Sequence, residues 1–281
     1  MSGKVIGFFS APGGVGKTTI AMLLGWKLRE RGLSVLMVDM DPSVSLSWLL
    51  VRRESDLIDY EKKGRTLSRI IKKVVEEKEE VDLRDYVISR PFPSGRDLEL
   101  DVVISDMDLV RIVDSYWFGS HARREYMLSN LLGGLGVRSA YDCTLLDTIP
   151  FYDRKYAVLA VYAADRCVVP LRPSIIDAYR TGMMLRELPE ITGIRGEELF
   201  PRMGLVFNMV RRGTKQERFI ERYVELFREK ISARLYIFSS TIPYRISFSR
   251  LGTEEEQSRD REDVNREFSP FFEEFCEWAG F

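Results

Sequence analysis

An α/β fold with a doubly wound, mostly parallel sheet and helices on both faces is predicted by three features of the 281-residue sequence. Short apolar runs alternate with segments of helical period along the whole chain, as repeated strand–helix–strand units require. The first such unit closes by Asp39, with a glycine-rich loop between its strand and its helix. Two apolar runs end in aspartate, Asp39 and Asp147, at what becomes the carboxyl edge of the sheet, where open α/β sheets bind ligands.

Residues 4–10 (KVIGFFS) form an apolar stretch bounded by turn residues, which suits a strand buried on both faces. Ile20, Leu23, Leu24 and Leu28 recur at helical spacing across 18–31, and Gly32 supplies the stop. Residues 33–38 (LSVLMV) are the second strand, so the unit implies a parallel pair with a right-handed crossover. Residues 57–80 read as a charged helix with Ile70, Ile71, Val74 and Val75 on its apolar side. Further strands are expected at 98–105, 143–146, 167–171, 203–208 and 236–242, and helices around 122–132, 175–188 and 215–230. The chain closes with an acidic segment and an aromatic-rich helix. No repeat, low-complexity tract or Pro/Ser linker divides it. One domain over 1–281 is expected, with residues 50–100 inserted after the second strand.

The 42 basic side chains nearly balance 43 acidic ones, and a net charge of −1 excludes nucleic-acid binding by bulk charge alone. Mean hydropathy is −0.16, and no apolar run reaches the roughly 18 residues of a membrane span. Met-Ser-Gly-Lys leads straight into a strand, so no signal peptide and a cytoplasmic location are expected. Cys143, Cys167 and Cys276 form no C-x-x-C pair and read as buried free thiols. With His121 the sole histidine, a His-based metal site or a Ser-His-Asp triad is disfavoured. Only five amides, beside a high charge content, hint at a thermophilic source, although 31 Arg against 11 Lys departs from the Lys-rich pattern.

The loop Ala11-Pro12-Gly13-Gly14-Val15-Gly16-Lys17-Thr18-Thr19 carries the most chemistry. Glycines there let successive N–H groups turn inward around a phosphate, and the following helix N-terminus adds unpaired donors. Lys17 brings a point charge to the β- and γ-phosphates, and the Thr18 hydroxyl is placed to ligate Mg²⁺. A dinucleotide fingerprint is the nearest rival, since Gly14-x-Gly16 opens one and Asp39 stands where a ribose-binding acid would be. Thr19 occupies its third glycine position, however, and that fold asks for no Lys-Thr.

Asp39-Met40-Asp41-Pro42 ends the second strand, which suits one aspartate ordering Mg²⁺ through water and another orienting the attacking water. For Asp41 a helix N-cap is the alternative. Asp147, in a strand followed by Thr-Ile-Pro150, completes the Mg²⁺ shell opposite Thr18 as a Walker-B aspartate does.

With these three motifs in order, the chain resembles the ParA/MinD superfamily of P-loop ATPases, and most closely its ParA (Soj-like) partition branch. The resemblance covers nearly the whole sequence. Residues 13–19 look like the family's P-loop, Asp39-Met-Asp41-Pro42 like switch I and Asp147-Thr-Ile-Pro150 like switch II. Residues 164–170 are similar to the segment before the interface helix, and Val206-Phe-Asn208-Met209 and Ile242-Pro243 to the stretches that flank adenine. The resemblance implies ATP and Mg²⁺ as ligands, an ATP-dependent homodimer and DNA binding without sequence preference. It also implies slow hydrolysis stimulated by a centromere-binding partner, in plasmid or chromosome partition. Gly13, Gly14, Val15, Gly16, Lys17, Thr18 and Thr19 would bind the phosphates, with Asn208, Pro243 and Tyr244 at the adenine. Lys17 and Asp41 would be catalytic, Asp41 positioning the water, and Thr18, Asp39, Asp41 and Asp147 would serve the metal.

Three positions depart from the family. Pro12 replaces the signature lysine that reaches across the dimer, and proline has neither charge nor N–H. Ser43 replaces the usual Gln, and Tyr244 the usual Arg, with Arg245 next. Pro12 implies very slow hydrolysis or a cation from elsewhere, for instance Arg154 or Lys155. A non-hydrolysing nucleotide switch is the first rival, and a small-molecule kinase or synthetase using the 50–100 insertion the second.

Residues 202–250 carry a charge of +7 and residues 254–281 one of −7. The basic segment is a candidate DNA-backbone footprint, or else its Arg and Glu pair at i, i+4 along the 215–230 helix. Phe268, Phe271, Phe272, Phe275 and Trp278 are expected to pack in the core. Glu273, Glu274 and Glu277 beside them are unsuited to an anionic membrane.

Overall fold

The computed structural model describes residues 2–51, 53–91, 99–119, 122–251, 253 and 255–281. His121 and Leu98 lie outside them. An eight-stranded sheet runs through the middle: β1 (Lys4–Phe8), β2 (Val35–Asp39), β3 (Ile88–Pro91), β4 (Glu99–Val103), β5 (Cys143–Asp147), β6 (Arg166–Leu171), β7 (Met203–Phe207) and β8 (Tyr236–Ile237). Their order is β3-β4-β2-β5-β1-β6-β7-β8. Every pairing is parallel except β3 with β4.

Alternate residues of the central strands feed two separate apolar layers, as the two-residue period of a strand demands. One layer takes Val5, Leu36, Val38, Leu146, Val169, Leu205 and Phe207. It is closed by residues of α4 (Leu67–Ile71), α5 (Asp108–Phe118), α6 (Met127–Gly134), α7 (Arg154–Ala163), α8 (Ile175–Thr192) and α9 (Ile220–Lys230). The other takes Ile6, Phe8, Met37, Leu145, Val168 and Val206, covered by α1 (Lys17–Glu30), α2 (Ser45–Val51) and α10 (Asp260–Ala279). Phe268, Phe271, Phe272 and Phe275 of α10 are fully buried there, so the terminal aromatic helix is core, as expected. All three cysteines are buried and free. Among the described residues no helix is long and apolar enough to cross a membrane.

Four expectations need correction. The helix drawn over 57–80 is α3 (Glu54–Lys62), then α4, then a π-helical turn Lys72–Glu77, with Gly64 at φ 67 breaking the run. The 215–230 helix is two pieces, Lys215–Arg218 and α9, hinged at Phe219. The stretch around 122–132 opens as a 3-10 turn, Arg124–Tyr126, before α6. The last strand ends at Ile237, and residues after it return only as a bridge between Val210 and Pro243.

A candidate nucleotide site at the carboxyl edge

The loop between β1 and α1 is held from below by hydrogen bonds within the chain. The Ser10 hydroxyl donates to the Pro12 carbonyl at 2.7 Å, and the Phe151 N–H donates to the Ser10 carbonyl at 2.8 Å. Gly14 and Gly16 take φ of 68° and 84°, values that a side chain would oppose. The Asn208 amide donates to the Val15 carbonyl at 2.7 Å, and its oxygen accepts the Met209 N–H at 2.8 Å. A Cβ on Gly16 would meet Asn208 Nδ2 at 2.4 Å. Gly16→Ala is therefore expected to destabilise the fold by about 1–3 kcal/mol, through left-handed strain and this clash. An unchanged denaturant midpoint would contradict that.

The strands then deliver their acids side by side. In the parallel register Asp39 of β2 pairs with Asp147 of β5, and Asp147 pairs with Phe8 of β1 at the base of the loop. Both carboxylates are fully buried. Asp39 Oδ2 accepts the Ser47 N–H at 2.8 Å and the Ser47 hydroxyl at 2.6 Å, and its Oδ1 accepts the Asp41 N–H at 2.9 Å. Burial pushes Asp39 up to about 6 against these bonds. Burial first, then the charge of Asp39, push Asp147 up to about 7, while Lys17 and the Thr18 hydroxyl pull it down. Neither Asp147 oxygen makes a hydrogen bond of full geometry.

Lys17 is itself buried, which lowers its pKa, and Asp147 and then Asp41 partly restore it. The ammonium group is thus set among carboxylates at the mouth of the loop. Asp41 accepts the Ser43 N–H at 2.8 Å and so closes a turn; it does not cap α2, which begins at Ser45. Val44 follows at φ 54, an uncommon conformation for a β-branched residue. It is fixed there by its N–H on the Asp41 carbonyl and by the Trp48 N–H on its own carbonyl.

Two adjoining pockets result. Gly14, Gly16, Lys17, Thr18, Asp41 and Trp48 line the polar one, with Pro150 across it. The second is apolar and is walled by Thr19, Ile20, Asn208, Pro243, Tyr244 and Phe248. Gly16, Thr19 and Met209 belong to both. The N–H groups of Val210, Ile242 and Tyr244 pair with the carbonyls of Ile242, Phe207 and Val210, which brings Asn208 against Pro243 and Tyr244. Of the residues singled out from the sequence, Gly14, Gly16, Lys17, Thr18, Thr19, Asp41, Asn208, Pro243 and Tyr244 line these two pockets, Asp39 and Asp147 are buried at the strand ends, and Arg154 and Lys155 line a separate pocket. Ser47, which grips Asp39, was missed, because a serine inside a short helix carries no local signal.

The arrangement suits a polyphosphate and its metal. Among the described residues no three His, Cys, Asp or Glu side chains could hold a metal ion by themselves. Mg²⁺ keeps several waters and is bound through one or two protein oxygens plus phosphates. The unengaged oxygens of buried Asp147, beside Thr18, are the acceptors such a water shell needs.

A family described as an AAA domain, AAA_31, matches residues 3–191. The chain belongs to this family. An uncharacterized protein of Methanocaldococcus jannaschii is 27% identical to this AAA_31 chain over 98% of it and 97% of the relative. The chromosome partitioning protein ParA of Caulobacter vibrioides is 27% identical, over 88% of this chain and 82% of its own. Among solved structures, a plasmid partition protein from Borrelia burgdorferi bound to AMPPNP superposes with a TM-score of 0.70 at 21% identity, covering 98% of this chain and 99% of that one. The fold matches the doubly wound P-loop architecture expected from the sequence.

Proposed function

We propose that this AAA_31 protein is a ParA-type partition ATPase that binds ATP with Mg²⁺ and hydrolyses it slowly. The observation that carries the reading is that Lys17, Thr18 and Asp41 line one pocket adjoining an apolar one, while the buried Asp39 and Asp147 stand side by side on adjacent strands and Asp147 is the leading opposite charge acting on Lys17. Loop N–H groups and Lys17 hold the β- and γ-phosphates, and Asn208, Pro243 and Tyr244 receive the adenine. Thr18, Asp39, Asp41 and Asp147 hold the metal and its waters, and Asp41 orients the attacking water. Bound Mg²⁺ supplies neutralisation of charge developing on the phosphate oxygens.

Pro12 is buried in the loop, so no cation extends from that position. Arg154 pairs with Glu187, and Lys155 with Asp114 at 3.1 Å and Asp153 at 2.8 Å, so neither substitute is free in this state. This favours, as the second reading, a nucleotide-dependent switch that binds without turnover. A homodimer face is supported by Ile175, Ile176 and Tyr179, which stand 75%, 59% and 65% exposed at the start of α8.

DNA binding without sequence preference is supported by exposed arginines of the basic segment, while Arg212 and Arg245 of that segment pair with Glu267 and Lys230 pairs with Glu229. Among the described residues Arg218, Arg222 and Arg228 are exposed and form no ion pair with the glutamates of their own helix. The protein would act in the cytoplasm, on the nucleoid where DNA holds it, with a centromere-binding protein as stimulator.

Steady-state ATP turnover with and without mixed-sequence duplex DNA tests the whole. Slow turnover is expected, with DNA affinity that drops steeply between low and physiological salt. ATP binding with no turnover under any condition would select the switch reading, and salt-independent DNA affinity would count against phosphate contacts.

A further inference from the structure

Ser47 makes more of its hydrogen-bonding capacity than its place in a seven-residue helix requires. Its N–H and its hydroxyl both donate to Asp39 Oδ2, at 2.8 and 2.6 Å. The same hydroxyl accepts the Ser105 N–H at 3.0 Å, from the chain just beyond β4. Asp39, Ser47 and Ser105 are all buried. The result is a directed chain, amide to hydroxyl to carboxylate, in which each bond polarises the next.

A carboxylate offers about four lone-pair sites. On Asp39 the two Ser47 donors occupy Oδ2, and the Asp41 N–H occupies one site of Oδ1. A single site remains, on Oδ1. Asp147, in register one strand away, has neither oxygen so engaged. Two aspartates that look equivalent in the sequence are therefore unequal in what they can accept.

We propose that Ser47 is the positioning residue of the metal site, fixing Asp39 so that it accepts one metal-bound water through Oδ1 while Asp147 carries the wider share of the hydration shell. The inference rests on the nucleotide reading above and adds to it which acid does what, and through which side chain. Without the hydroxyl, Asp39 keeps the two backbone donors but loses its shortest bond, which reopens a site on Oδ2 and loosens its orientation, and the Ser105 N–H is left buried with no acceptor. Groups that orient a metal's partners without touching the metal are commonly worth 10–100-fold in metal affinity.

The test titrates the full chain calorimetrically with a non-hydrolysable ATP analogue, at stepped Mg²⁺ and again in EDTA. For Ser47→Ala, the Mg²⁺ concentration giving half-maximal tight binding should rise by about tenfold, while affinity in EDTA stays at the parent value. Ser47→Thr, which keeps the hydroxyl, should restore the parent Mg²⁺ dependence. Should Ser47→Ala fail to fold, Ser47→Cys carries the same test with a weak donor of similar size. An unaltered Mg²⁺ dependence in a folded variant overturns the proposal. So does an equal loss of affinity with and without Mg²⁺, which would mark Ser47 as a structural support only. A parent chain that binds no analogue at all overturns the nucleotide reading instead, and is recognised before any variant is compared.

Discussion

A Lys17→Ala variant will bind ATP at least about thirtyfold more weakly than the parent chain, because truncating one member of a buried charge pair typically costs 2–5 kcal/mol. Lys17 is buried at the loop mouth, with Asp147 and Asp41 as its nearest opposite charges. Removing it takes away the cation that meets the phosphates and leaves the acids uncompensated, so an incoming polyanion is repelled as well as unheld. Calorimetric titration of both proteins with ATP and Mg²⁺ reads the effect. Equal affinities would move the phosphate pocket away from residues 13–19 and remove the basis of the ATPase reading.

The second large effect has opposite signs for stability and for binding. Asp39 and Asp147 sit at about 6 and about 7 in the folded chain, each raised first of all by burial, whereas carboxylates of an unfolded chain titrate near 3.9. Between about pH 4 and pH 7 the folded state therefore holds more protons than the unfolded one, and the stability of the ligand-free protein falls as pH rises through that window. Asp147→Asn removes one of the two adjacent charges. At about pH 8 it should raise the melting temperature of the ligand-free protein by about 4 °C, and near pH 5 it should change it little. The same variant should lose most of the Mg²⁺-dependent gain in ATP affinity. Scanning calorimetry at the two pH values decides the first half; an equal shift at both would show that charge repulsion is not its source.

The loop and the acidic strand ends were legible because their chemistry demands rare residue types at fixed positions. Lys17 and Thr18 after Gly16, and aspartates closing apolar runs, can be found without knowing which strands are neighbours. What decides the properties of Asp39 and Asp147 is that β2 and β5 lie side by side, and no feature of either segment announces that pairing. The apolar helix α7 escaped for a different reason. Tyr156 through Val161 are all buried, so the helix shows no polar face from which a 3.6-residue period could be read. Strand β3 escaped because, at four residues on the sheet edge, it is too short to show a two-residue period. The drawn-out helix over 57–80 erred in the other direction: its charge pattern is helical throughout, and only Gly64 at positive φ reveals the break.

Val44 holds the turn between Asp41 and α2 in a conformation whose cost is on the order of 1–3 kcal/mol. The turn thus carries local strain, which any rearrangement that lets this residue relax would release. A glycine in its place would adopt the same backbone without that strain. How readily this turn rearranges is therefore open to retuning by one aliphatic side chain.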